Sequence, residues 1–75
     1  MEEIIEEIHN SYTNKDLARI KELLADINPA DIAMIIEESP NNQRLLFFRL
    51  LPKEEAADTF VELDFDTQEA LIHAF

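Results

Sequence analysis

Three carboxylates, Glu54, Asp58 and Glu62, recur every four residues with no basic side chain between them, so on a helix they line one slanted stripe. Like charges at that spacing disfavour an isolated helix by about 0.2 to 0.5 kcal/mol per pair, and a bound cation would relieve that cost. A hard divalent ion suits such donors, because magnesium takes six oxygens and keeps several waters, so one or two carboxylates from each of two surfaces would bridge it. Oxygen donors alone do not distinguish magnesium from calcium or manganese. A stripe of acids is equally what a solvated helix face looks like, so the spacing leaves both readings open. Asp31 is a fourth candidate acid. It stands three residues after Asn28, where it also fits the first turn of a capped helix.

Other candidate chemistry falls away on inspection. His9 and His73 are far apart with no ligand-like spacing. Ser11 and Ser39 lie in no Gly-x-Ser-x-Gly elbow, and a chain without glycine holds no glycine-rich phosphate loop. Asp64-Phe65-Asp66 lacks the sixth-position glycine and the spaced oxygen series of a calcium loop. With no cysteine there is no disulfide, thiolate zinc site or thiol nucleophile, which fits a reducing, cytoplasmic setting. The residues point to a binding or regulatory role and not to an enzyme.

The elements that must position the acids are short helices. Pro29, Pro40 and Pro52 each precede an apolar helical pattern and suit a helix start, where the missing N–H would be unpaired anyway. Thr13 with Asp16, Asn28 with Asp31, and Asp66 with Glu69 each set a capping side chain three residues before an acid. Between these marks the 3.6-residue period gives stripes of Ile4, Ile5, Ile8 and Tyr12, then Leu17, Ile20, Leu24 and Ile27, then Ile32, Ile35 and Ile36. The fourth segment, Asn41 to Leu51, is apolar on almost every side and is expected to be central, its Leu45 to Leu51 run forming core. A fifth helix from Lys53 to Leu63 offers Ala56, Ala57, Phe60 and Leu63, and a sixth from Thr67 to Phe75 offers Leu71, Ile72 and Phe75.

These helices repeat. At an offset of 24 residues Ile27 meets Leu51, Asp31 meets Glu55 and Ile36 meets Phe60, while at 25 Gln43 meets Gln68, Leu46 meets Leu71 and Leu50 meets Phe75. The expected fold is all-α, with about six short helices stacked as helix-pair repeats in a right-handed-type superhelical, solenoid-like domain. Residues 1–75 form one such unit, 1–13 a leading helix and 14–75 the repeats. Leu71, Ile72 and Phe75 are expected to need cover, which implies an unfinished C-terminal end, a partner, or a homodimer.

Charge narrows the partners. Six basic against 17 acidic residues give a formal net charge of −11, which repels nucleic acid and anionic lipid. Such a surface also strains the compact state, so stability should respond to cations. The longest apolar run, Leu45 to Phe48, is flanked by Arg44 and Arg49, too short to span a membrane, and the acidic Met1-Glu2-Glu3 start is unlike a signal peptide.

The motifs I-N-P-A-D-I-A at 27–33, L-L-P-K-E-E-A-A-D at 50–58 and V-E-L-D at 61–64 resemble, in order, the N domain of MgtE magnesium transporters, with the likeness running from about Asn14 to Phe75. In that family an acidic helical superhelix lies in the cytoplasm and is followed by a CBS domain pair, a connecting helix and a transmembrane pore in the plasma (inner) membrane. The resemblance implies a regulatory domain that senses Mg2+. Abundant ion bridges the acidic surfaces of the N and CBS domains and keeps the pore closed; scarcity lets them separate. It also implies metal-site roles for Asp58, which falls on the acid of the family's A-A-[DE] pattern, and for Asp31 at its P-x-D position. The CBS pair and the pore lie outside these residues. A reading of another class is an interaction module similar to the helical repeats of flagellar motor switch proteins, its acids serving only solubility.

Overall fold

The computed structural model describes residues 1–74 as six helices: α1 Glu2–Thr13, α2 Leu17–Ala25, α3 Pro29–Glu38, α4 Asn41–Arg49, α5 Lys53–Glu62 and α6 Phe65–Ala74. No strand occurs among the described residues, and the expected role of Phe75 in the sixth helix and in the repeat lies outside them. Among the described residues no helix is long and apolar enough to cross a membrane.

Packing follows the repeat. α1 pairs with α2, α3 lies against α4 and α5, and α4 lies against α6, so first helices stack on first and second on second. The centre is α3, not α4. Ile32, Ala33, Ile35 and Ile36 are all buried, whereas α4 buries only Phe47 fully and leaves Leu45, Leu46 and Phe48 half-buried. Consecutive apolar residues point in different directions around a helix, so α4 would need cover on every side; α3 concentrates its isoleucines between two neighbours. Two edge-to-face ring pairs bind the periphery to this centre: Tyr12 on Phe47 at 6.1 Å and Phe48 on Phe60 at 6.1 Å between centroids.

Three further apolar expectations are corrected. Leu17, at the first position of α2, is exposed while Ile20, Leu24 and Ile27 enter the core. Ala57 is exposed, with Ala56 and Phe60 half-buried and Leu63 buried. Leu71 is covered, because α6 turns that residue toward α4, and Ile72 alone of the pair faces outward.

Helix ends explain the rest. Asn28 caps α3, accepting from the Asp31 N–H at 3.0 Å while its amide donates to the Asp31 carboxylate at 3.0 Å, with Pro29 in the first turn. Pro40 and Pro52 stand just before α4 and α5 as expected. At α2 the cap is Asp16, which accepts from the Arg19 N–H at 3.2 Å; Thr13 still belongs to α1 and donates to the His9 carbonyl. The intervening turn needs a left-handed residue and, without glycine, Lys15 supplies it at φ 58°, at a cost of roughly 1–2 kcal/mol. At α6 the cap is Asp64 and not Asp66: its carboxylate accepts from the Thr67 N–H at 2.7 Å, which starts the helix at Phe65. Tertiary structure makes that choice, because the Asp64 N–H is itself held by the Glu37 carboxylate at 2.7 Å.

The C-termini of α3 and α5 are closed from the following helix. Arg44 donates to the carbonyls of Ser39 and Glu37, and Gln68 donates to the Phe60 carbonyl at 2.7 Å. The Ser39 hydroxyl, buried, donates to the Ile35 carbonyl. Hydrogen bonds from the Thr67 hydroxyl and N–H, aided by the positive charge of Arg44, hold the Asp64 carboxyl below its ordinary range.

Two predictions come from this arrangement. In urea unfolding, Ile36→Ala should lower stability by about 2–5 kcal/mol and Leu46→Ala by less than half as much; the reverse order would restore α4 to the centre. Because the folded pKa of Asp64 is depressed, its contribution is present above the unfolded value of about 4 and is lost as pH falls through the folded value. Asp64→Asn keeps a capping oxygen without the charge, so its urea midpoint should lie below wild type at neutral pH and converge with it in acid. A gap that ignores pH would mean that the charge does nothing there.

Candidate functional site

The outer side of α5 is the candidate site. Glu54, Asp58 and Glu62 are all exposed on this ten-residue helix, whose first turn also carries Glu55. Each step of four residues rises about 6 Å, so the first and last carboxylates sit about 12 Å apart along the axis. One ion therefore cannot be held by all three. Neighbouring pairs are one turn apart, near enough for two carboxylates to serve one hydrated cation.

Asp31 is placed differently. It is half-buried in the first turn of α3 with one carboxylate oxygen taken by Asn28, so its cap role is realised. Although α3 packs on α5, no three His, Asp or Glu side chains converge as a metal cage among the described residues. The site is thus a surface that offers one or two oxygens at a time. That donor set fits an ion that retains water and a second surface that completes its shell.

The inner side of α5 carries polar groups that periodicity did not single out. Glu55 is half-buried with one carboxylate oxygen enclosed and unpartnered, and one turn on, Thr59 is fully buried with an unpartnered hydroxyl. The only signal was the repeat, which sets Glu55 opposite Asp31. A threonine in an apolar stripe reads as tolerated, and its burial depends on α3.

The remaining features hold little chemistry. His73 is exposed, 4.0 Å from Glu69, while His9 is half-buried on α1. A groove of about 220 Å³ between α4 and α6 is floored by Leu45, Ala70 and Leu71, and the Arg44 beside it is already bound to α3. Arg19 is committed to Glu7 and Glu22, and the bond to Glu7 raises its pKa.

An unpartnered buried hydroxyl is destabilising by about 1–3 kcal/mol. Thr59→Val, nearly isosteric, should therefore raise the urea midpoint, by on the order of 1 kcal/mol in stability. A loss would show that the hydroxyl has a partner in solution.

The sequence from 27 to 75 matches the family described as the MgtE intracellular N domain. The match begins after α2 and takes in α3 to α6, with the acid stripe and Asp31 inside it. Comparison with curated proteins gives no match. Two thirds of the chain, in the helix-pair repeat that carries these acids, fit that family, and the chain belongs to the MgtE intracellular N domain family.

Proposed function

We propose that this chain is a cytoplasmic regulatory domain of a magnesium transporter, not an enzyme, and that Glu54, Asp58 and Glu62 form its half of a magnesium-responsive contact. Family membership supports the regulatory reading. The exposed stripe is the observation that carries the ion-sensing part.

The physical logic is electrostatic. A partner surface that is also acidic, as in a CBS pair, is repelled by a chain of net charge −11. Divalent cations held between the two surfaces reverse that balance, and the domains then dock; when the ion is scarce, they part and the pore they control is released. Asp58, in the middle of the stripe, can act with the acid on either side of it, which makes it the leading ligand. Asp31 contributes at most its free oxygen, since Asn28 holds the other.

An amide NMR titration with Mg2+ at constant ionic strength tests this, with Na+ as the control for screening. Saturable shifts centred on Glu54, Asp58 and Glu62, and weakened in Asp58→Asn, are expected. Diffuse shifts that Na+ reproduces would overturn an ion site on this chain and favour an interaction module whose acids only keep it soluble.

A further inference from the structure

The helix pairs are not stacked alike. α3 lies along α5 in the most extensive contact of the chain, but α1 does not repeat it on α3. Among the described residues neither α1 nor α2 comes into comparable contact with any of α3 to α6. The close partner of α1 is α2, and Glu7 on α1 pairs with Arg19 on α2. This hairpin meets the remainder through apolar side chains: Ile8, Ile20 and Leu24 are fully buried in one cluster with Ile32 and Phe47, and Tyr12 stands edge-on to Phe47 at 6.1 Å. The family match begins at the same break, at residue 27.

Charge works against that apolar contact. Residues 1–26 carry 7 acidic and 3 basic side chains and residues 27–75 carry 10 and 3, so two negative bodies are held together. In a molecule 28 Å long, a Debye length of about 30 Å at about 0.01 M salt leaves their repulsion in force, and one of about 3 Å at about 1 M removes it. We infer that the α1–α2 hairpin is a cation-responsive cover: it opens as one unit about Asp26–Asn28 when salt is scarce, uncovering Phe47, and closes when cations screen the repulsion, while α3 to α6 stay folded. Helices of 12 and 9 residues do not persist alone, so opening also unravels them. The inference uses no ion site. Screening by Na+ suffices, so it stands or falls apart from the α5 stripe.

Native-state amide hydrogen exchange on the intact chain, in urea below the unfolding transition, tests this. At about 0.01 M NaCl the amides of α1 and α2 should share one opening, about tenfold more frequent than the one that exposes Ile35 and Ile36 of α3. Raising NaCl to about 1 M should reduce the hairpin opening by about tenfold, and MgCl2 at equal ionic strength should act no differently. Phe60→Leu weakens the ring contact with Phe48, which the open-cover state keeps, so it should raise the opening of α3 and leave that of the hairpin unchanged. Tyr12→Leu weakens a contact absent from both opened states and should raise both. A single opening shared by α1 to α5, a hairpin opening that Phe60→Leu raises or Tyr12→Leu leaves alone, one that salt fails to reduce, or a response to Mg2+ that Na+ cannot match would each overturn the cover.

Discussion

The absence of glycine is the constraint on which this fold depends. A helix often ends by passing one residue, most readily glycine, through the left-handed region, and this chain has six helices in 75 residues without a glycine. Here the C-terminal carbonyls of α3 and α5 are met by side chains of the next helix, Arg44 and Gln68. Helix termination is therefore also tertiary contact. The bonds that stop α3 orient α4, and those that stop α5 orient α6, so local and global order form together.

Glu37 and Asp64 extend the same device between repeats. Glu37 gives its carbonyl to Arg44 and its carboxylate to the Asp64 N–H, and Asp64 in turn caps α6. In a body only 28 × 22 × 21 Å across, apolar burial is limited. These bonds run along the seam between the pairs and fix how one stacks on the other. The core they surround is α3, whose isoleucines meet both α4 and α5.

α5 divides its acids by side. Glu54, Asp58 and Glu62 face water, where repulsion is weakened by solvent and salt and can be reversed by a cation. Glu55 faces inward with an enclosed oxygen. The inward surface of this helix is held by α3, while its outward surface stays open to solvent and ions.

Much of this was legible in the residues. Helix number, the proline starts, the Asn28–Asp31 cap and the stacking of like helices follow from periodicity, backbone constraint and an internal repeat, all local or translational properties of the chain. The acid stripe was legible too, because spacing alone puts Glu54, Asp58 and Glu62 on one face. Three things were not. The spacing to Glu69 favours Asp66 as the cap of α6, and Glu37, 27 residues away from Asp64, moves the cap to Asp64. α4 is the more apolar helix, yet α3 is central, because burial is set by how many neighbours a helix has and not by its own composition. Leu71 and Ile72 are adjacent and alike in hydropathy, and only the packing of α6 on α4 decides which is covered. The sequence by itself determined where helices begin and which residues share a face; tertiary structure decided which face turns inward, because that depends on contacts between residues far apart in the chain.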